Sequence, residues 1–383
     1  MTDMTQARAI LDRLIAFDTT SRNSNLELIE WVEAYLGEHG VTSQRVSDET
    51  GKKANLFATC GPSIEDGVIL SGHSDVVPVD GQDWSTDPWI TLEQEGRLYG
   101  RGTSDMKSFV ALALAFVPAF VKGSKPVHLA ISYDEEVGCK GAPAMIERLR
   151  HQIPKPRLAI IGEPTMMKLV TGHKGICVHK VDVRGVEAHS SLVDHGISAN
   201  EIAVDLMNAL MTLARKLRDE ADHESGFDPP WPTLTIGVMQ GGEAANILAG
   251  HASFTFDLRC PPGYDPHAIL SSFMELCQEK DSAMKERFGE AGVRVEELSN
   301  APPLSSVGSE PAAEFVLRLT GENSPPSYVS YGTEAGQFQE AGFPSIVCGP
   351  GSIEQAHQPN EWIAIDQIEQ GTRFMERLVQ ELR

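Results

Sequence analysis

The sequence lacks the features that mark disulfide-rich, membrane-spanning and secreted proteins. Its six cysteines lie far apart and form no C-x-x-C pair, so we expect neither a disulfide framework nor a thiolate zinc site. The longest apolar run, 109–121, is too short to span a bilayer and is interrupted by Pro118. The first residues show no basic segment followed by an apolar one, so we expect no secretory signal and a reducing, cytoplasmic location.

Positive charge is also scarce. Lysine and arginine number 32 against 54 aspartates and glutamates, which gives a formal net charge of −22. Such a chain repels phosphate groups and anionic lipids, so we expect neither nucleic acids nor membranes as partners. Apolar residues make up 41% of the 383 residues, which indicates a folded protein of two or three domains.

Short apolar strands alternate with helices in the first half of the sequence and again near its end. We predict helices at 5–39 (with a break near 19–25), 106–121, 142–151, 311–319 and 366–382, and strands at 67–70, 127–133, 158–161 and 345–347. This alternation predicts an α/β fold with a mixed, mostly parallel sheet flanked by helices.

The middle of the sequence follows a different order. We predict strands at 176–184, 233–240, 252–259 and 293–298, and helices at 199–220 and 266–288. The resulting β-α-β-β-α-β order is that of a ferredoxin-like domain. We therefore expect a catalytic domain built from residues 1–175 and 299–383, with a small domain, 176–298, inserted in it.

Acidic residues follow the predicted strands at regular spacing. Asp75, Asp105, Glu135 and Glu163 are separated by 30, 30 and 28 residues, about the length of one strand-helix-strand unit. Because ligands bind beyond the carboxyl ends of parallel strands, we expect these residues to converge at one sheet edge. Taken singly they have ordinary explanations, such as a helix cap at Asp105 or a solvated acidic pair at Glu135. Their recurrence favours a cation site, and with histidine the set suits zinc, cobalt or manganese.

Five segments, in order, resemble the motifs of the M20 family of two-metal amidohydrolases, and the resemblance covers about residues 5–383. The segments are SGHSDVVPV (71–79), YGRGTSDMK (99–107), DEEVG (134–138), GEPT (162–165) and QAHQPNE (355–361). The resemblance implies two divalent metal ions per chain, zinc first and cobalt as a possibility. His73, Asp105 and Glu163 are implied to hold one ion, and Asp105, Glu136 and His357 the other, with Asp105 bridging.

The resemblance also implies catalytic roles. Glu135 is the implied general base, which takes a proton from the attacking water and delivers it to the leaving amine. Asp75 is implied to receive the other imidazole N–H of His73. His189, in a segment that resembles the family's lid and dimerisation domain, is implied to stabilise the oxyanion in the partner subunit of a homodimer. The alternative is that the segment containing His189 forms an ordinary polar turn after the strand.

The expected substrate is a small N-acyl amino acid. Segments containing Asn246 and Arg259 resemble substrate-side motifs, and Arg259 can bind an α-carboxylate or form a structural salt bridge. Gly332, Thr333 and Glu334 occupy the loop where the desuccinylases of the family carry an arginine. An acid here suits the δ-ammonium of ornithine and not a succinyl tail.

We therefore expect hydrolysis of N²-acetyl-L-ornithine to L-ornithine and acetate, a step of arginine biosynthesis. The alternatives are another M20 enzyme, such as a succinyl-diaminopimelate desuccinylase, a broad N-acyl-amino-acid deacylase or a peptidase, and a catalytically silent metal-binding scaffold. The presence of Glu135 beside the ligands disfavours the scaffold.

Overall fold

A computed structural model describes residues 4–221, 224–321 and 325–383. The helices are α1 (Met4–Ile15), α2 (Leu26–Glu38), α3 (Lys107–Ala115), α4 (Val117–Phe120), α5 (Ala142–Gln152), α6 (Ala199–Asp219), α7 (Pro266–Arg287), α8 (Glu310–Thr320), α9 (Ala335–Glu340) and α10 (Ile365–Glu381). The strands are β1 (Ser43–Ser47), β2 (Ala54–Cys60), β3 (Val68–His73), β4 (Leu92–Gln94), β5 (Arg97–Tyr99), β6 (Val127–Ser132), β7 (Leu158–Ile161), β8 (Val170–His173), β9 (Gly175–Arg184), β10 (Thr233–Gly241), β11 (His251–Cys260), β12 (Gly292–Ala301), β13 (Ser327–Val329), β14 (Ser345–Val347) and β15 (Trp362–Ala364).

The chain divides into two compact units. The first consists of Met1–His173, Leu304–Tyr328 and Thr333–Arg383, and the second of Lys174–Pro303 and Val329–Gly332. Each unit has its own hydrophobic core. Among the described residues, no helix combines the length and the apolar character needed to cross a membrane.

The large sheet has the strand order β1-β2-β6-β3-β7-β14-β8-β13. Its four central strands, β6, β3, β7 and β14, run parallel, whereas β1, β2 and β8 join their neighbours antiparallel. The predicted mixed α/β sheet is thereby confirmed. The parallel core brings the carboxyl ends of β3, β6 and β7 to one edge, where the acidic motifs begin.

Helices cover both faces of this sheet. Leu56 of β2 belongs to the core that also contains α1, α3 and α10, whereas its neighbour Asn55 donates to the carbonyl of Gly141 at the start of α5. Successive strand residues face opposite sides, so α3 and α5 lie on opposite faces. The single helix predicted at 106–121 is interrupted: α3 ends at Ala115 and α4 begins at Val117, because Pro118 fits the first turn of a helix but not its interior.

The second unit has the predicted β-α-β-β-α-β order. Its four strands form one antiparallel sheet in the order β10-β11-β9-β12, and residues of α6 and α7 share its core. Strand β10 lies at the edge of this sheet. Its residues Val238 and Met239 are 55% and 65% exposed.

Candidate active site

The first implied ligand set meets at the sheet edge of the first unit. His73 is the last residue of β3, Asp105 lies just before α3, and Glu163 follows β7. His73 Nε2 lies 3.0 Å from Asp105 Oδ1 and 3.8 Å from Glu163 Oε1. The three side chains are nearly inaccessible to solvent, with exposures of 1–6%. One nitrogen and two carboxylate oxygens therefore face a common point.

The second implied set shares Asp105 with the first. His357 Nε2 lies 3.3 Å from Asp105 Oδ2 and 2.9 Å from Glu136 Oε2. Asp105 thus turns one oxygen toward each histidine, which is the arrangement of a bridging carboxylate. The side chain of His357 is 50% exposed, so this set opens to solvent. The peptide bond between Asp105 and Met106 is cis.

The pKa values at the site are shifted because several carboxyl groups lie close together and are largely shielded from solvent. Burial raises the pKa of Glu135 to about 8 and that of Glu136 to about 7, with neighbouring carboxylates adding to both shifts. Hydrogen bonds to Asp105 and Glu136 raise the pKa of His357 to about 10. The protonated imidazole of His357 thus reduces the repulsion between the carboxylates of Asp105 and Glu136, as a bound metal cation would.

The residues fit a pair of divalent ions. Glu163 Oε1 is buried and has no hydrogen-bond partner among the described residues, and such an oxygen normally needs one. A donor set of imidazole nitrogens and carboxylate oxygens without thiolate suits zinc, cobalt or manganese. A metal ion beside Glu163 would satisfy its unpartnered oxygen.

Asp75 differs from its implied role in one detail. The acceptor nearest to His73 Nδ1 is the backbone carbonyl of Asp75 at 2.9 Å, whereas the Asp75 carboxylate is 3.7 Å away. That carboxylate instead accepts the hydroxyl of Ser21 at 2.7 Å and the backbone N–H groups of Glu135 and Glu136 at 3.2 and 3.3 Å. Asp75 therefore fixes the orientation of His73 through its main chain and positions the Glu135–Glu136 turn through its side chain.

Cys139 contacts the implied general base, which the sequence did not indicate. Its thiol donates to Glu135 Oε1 at 3.3 Å, while its carbonyl accepts Gln337 Nε2 at 2.8 Å. The signal available in the sequence was only its position four residues after Glu135, within the turn that follows β6.

Thr333 and Glu334 also belong to the first unit and lie at the start of α9. Glu334 is 1% exposed, its Oε1 has no hydrogen-bond partner in the described chain, and burial raises its pKa to about 7. Its charge contributes to the raised pKa of Glu135, so the two carboxyl groups are neighbours. The hydroxyl of Thr333 accepts the N–H of Ala335 at 3.0 Å, which orders the loop that presents Glu334.

The other four predicted site residues belong to the second unit. His189 and Asn246 are brought together there, since Ser190 N–H donates to the Asn246 carbonyl at 2.9 Å. His189 is exposed, and its Nδ1 accepts the N–H of Ser191 at 3.2 Å, which leaves the Nε2–H as a donor.

Arg259 and Gly332 occupy tighter surroundings in that unit. Arg259 Nε lies 2.7 Å from Asp257 Oδ2, so the salt-bridge alternative is realised at that nitrogen. A Cβ on Gly332 would approach the side chain of Ile176 to 2.6 Å, so only glycine fits there without a shift.

A third group of metal-binding side chains lies in the second unit, formed by Cys177, His179 and Glu297. His179 directs Nδ1 toward Cys177 Sγ at 3.7 Å and Nε2 toward Glu297 Oε2 at 3.7 Å. The two contacts thus fall on different nitrogens of the ring, whereas one ion binds only one of them. We assign no metal to this group.

Comparison with known proteins agrees with this geometry. The model of peptidase family M20/M25/M40 matches residues 69–381. The chain belongs to the M20 family. It is 36% identical over 367 residues to the acetylornithine deacetylase of Myxococcus xanthus, which covers 94% of this chain and 93% of that protein. The chain is therefore a hydrolase of the M20 family.

Solved structures share the fold. An M20 family metallo-carboxypeptidase from Sulfolobus solfataricus superposes with a TM-score of 0.79 at 17% identity, over 98% of both chains. A dinuclear metal-binding peptidase of the same family from Bacillus subtilis gives a TM-score of 0.62 at 13% identity, over 99% of this chain and 98% of that one.

Proposed function

We propose that the protein is a two-zinc deacetylase that hydrolyses N²-acetyl-L-ornithine to L-ornithine and acetate, in the cytoplasm and as a step of arginine biosynthesis. The observation that carries this proposal is the pair of ligand sets that share Asp105 beside Glu135. The likeness to acetylornithine deacetylases at 32–36% identity supports the substrate.

His73, Asp105 and Glu163 would hold one ion, and Asp105, Glu136 and His357 the other. When bound, the ions supply Lewis-acid chemistry that polarises the scissile carbonyl and lowers the pKa of water. Cobalt has the same ligand preferences as zinc here and is the natural substitute.

Glu135 acts as the proton carrier in this mechanism. Its carboxylate, beside the two ligand sets, would take a proton from the attacking water. The same carboxyl then delivers that proton to the leaving nitrogen of ornithine, so it returns to its ionised form after each turnover. The backbone N–H of Glu135 donates a hydrogen bond to the Asp75 carboxylate, and the thiol of Cys139 donates one to Glu135 Oε1. These two hydrogen bonds keep the Glu135 carboxyl group in place.

Glu334 accounts for the preference for a cationic side chain. A buried carboxylate oxygen without a partner is a costly feature that a substrate ammonium group would satisfy. A succinyl tail would instead bring a further negative charge to the group formed by Glu334 and Glu135. This contrast favours acetylornithine over succinyl-diaminopimelate.

The second unit supports a homodimer in which each subunit completes the other's site. A groove between α6 and β10 is lined by Val204, Met207, Met211, Val238 and Met239 and encloses about 470 Å³. Exposed apolar side chains on an unpaired edge strand call for a covering partner. A two-fold pairing of β10 with its own copy meets this need.

We further propose that the inserted domain, 176–298, acts as lid and dimerisation domain of the catalytic domain formed by 1–175 and 299–383. In this arrangement His189 donates its Nε2–H to the oxyanion in the partner subunit. Asn246, Arg259 and Gly332 complete the substrate contacts made by Thr333 and Glu334.

The decisive experiment compares kcat/KM of zinc-loaded protein for N²-acetylornithine, succinyl-diaminopimelate and a dipeptide. We expect acetylornithine to exceed the other two by at least tenfold, with ornithine and acetate released in equal amounts. A higher value for succinyl-diaminopimelate or the dipeptide would assign a different M20 activity. No turnover of any acyl amino acid by the metal-loaded protein would favour a silent scaffold.

A further inference from the structure

Glu361 ends the last of the five motif segments but is neither a ligand nor a proton carrier in the proposed mechanism. Its side chain and that of Arg101 are each 1% exposed, and Arg101 Nη1 lies 2.8 Å from Glu361 Oε2. A fully buried carboxylate needs several donors. The Arg101 guanidinium supplies only part of them.

The remaining donors come from the backbone of the loop that carries Asp105. Glu361 Oε2 accepts the N–H of Gly102 at 2.9 Å, and Oε1 accepts those of Ser104 at 2.7 Å and Asp105 at 3.0 Å. With Arg101, each carboxylate oxygen therefore accepts two donors. Buried backbone N–H groups require a partner, and for these three the partner is one side chain.

A three-stranded sheet in the order β15-β5-β4 places Glu361 beside this loop. Strand β15 pairs antiparallel with β5, so Trp362 lies opposite Tyr99, and the N–H of Gly100 donates to the Glu361 carbonyl at 2.9 Å. Residues 100–105 then form turns instead of a helix or strand. The loop therefore relies on an acceptor from outside itself.

Both implied metal sets depend on the position of this loop. Asp105 Oδ1 lies 3.0 Å from His73 Nε2, and Asp105 Oδ2 lies 3.3 Å from His357 Nε2. Glu361 itself follows His357 by four residues, in the same connection between β14 and β15. The Glu361 carboxylate thus connects the backbone at Asp105 to the segment that contains His357.

We propose that Glu361 is a positioning residue of the metal centre. Glu361 holds the backbone of residues 101–105 so that Asp105 faces the other ligands of both sets before an ion binds. This inference rests on the two-metal centre of the proposed function. It does not depend on which acyl amino acid is the substrate.

The test substitution is Glu361→Gln, which keeps the size of the side chain. Because both oxygens of Glu361 accept two donors, either orientation of the new amide places its NH₂ group against two N–H donors. Residues that orient metal ligands typically contribute 10–100-fold to metal affinity, so we expect the zinc Kd, measured by chelator competition, to rise by about that factor. Glu33→Gln is the matched control, because it makes the same change in a glutamate that pairs with an arginine but belongs to neither ligand set nor the 101–105 loop. Its zinc Kd should stay near the native value.

Hydrogen exchange of the wild-type protein tests the inference without any variant. If Glu361 holds the loop, amides of the peptide covering 101–106 exchange slowly in metal-free protein as well as in zinc-loaded protein. Fast exchange that slows only on zinc addition would show that the metal orders the loop, and would overturn the inference. An unchanged zinc Kd in Glu361→Gln, or an equal rise in Glu33→Gln, would overturn it too. Wild-type protein that binds zinc tightly but does not hydrolyse acetylornithine would refute only the proposed substrate.

Discussion

Glu135 and Glu136 are adjacent carboxylates to which the structure gives different tasks, and paired substitutions should separate them. Glu136 Oε2 lies 2.9 Å from His357 Nε2 within a ligand set. The backbone N–H of Glu135 donates a hydrogen bond to the Asp75 carboxylate, and its own carboxylate accepts one from the Cys139 thiol. We therefore expect Glu135→Gln to retain both metal ions and Glu136→Gln to lose occupancy of the second one.

The expected effect on turnover follows from the role of Glu135. Glutamine keeps the shape of the side chain and can still accept the thiol of Cys139, but it cannot take up a proton. Loss of a general base typically costs 10²–10⁴-fold in rate, equivalent to about 3–5 kcal/mol in activation free energy. Because one carboxyl serves both proton transfers, we expect a loss toward the upper end, with KM within a few-fold of native.

The assay is release of ornithine from acetylornithine at saturating zinc, with metal content measured on the same samples by mass spectrometry. Glu136→Gln provides the matched control, because it makes the same chemical change one residue away. If Glu135→Gln keeps a kcat near the native value, or loses metal as Glu136→Gln does, the assignment of the base is wrong.

Three further predictions concern selectivity, subunit cooperation and acid stability. Glu334→Gln should lower kcat/KM at least tenfold more for acetylornithine than for acetylnorvaline, which lacks the ammonium group; equal losses would show a structural role. Co-expression of Glu135→Ala with His189→Ala should restore about a quarter of native activity, because half of randomly paired dimers are mixed and each has one intact site; activity at the average of the two variants, with mixed dimers present, would contradict the shared site. Burial lowers the pKa of His128 to about 4 from 6.5, so the unfolded state binds more protons as the pH falls between these values. His128 should therefore contribute a loss of about 3 kcal/mol to the free energy of unfolding over this interval, and this contribution should be missing in His128→Leu; parallel pH profiles of the two proteins in urea denaturation would refute this.

Regular elements that bury apolar residues were predictable from the sequence. The predicted strand 158–161 coincides with β7, and the predicted strand 345–347 with β14, because both are short apolar runs inside the parallel core. Strand β1 was missed since its residues, Ser-Gln-Arg-Val-Ser, are mostly polar and pair with β2 on one side only. Edge strands carry little hydrophobic periodicity, so tertiary pairing determines them.

The ligand sets were predicted from the family resemblance, and spacing accounts for only part of their convergence. Glu135 and Glu163 meet because β6 and β7 end at the same edge of the parallel sheet, whereas Asp105 follows β5, which lies outside that sheet. The spacing carried no information on contacts made by the main chain. The backbone carbonyl of Asp75 and the three N–H groups bonded to Glu361 therefore emerged only from the structure.

The proposed function requires two ions bound by five side chains, in two sets that share Asp105. Anomalous diffraction at the zinc edge, from crystals of zinc-loaded protein, tests this directly. We expect two peaks per chain about 3.5–4 Å apart, one beside His73 and Glu163 and the other beside Glu136 and His357. A single peak, or a peak at Cys177 and His179 with none at Asp105, would contradict it.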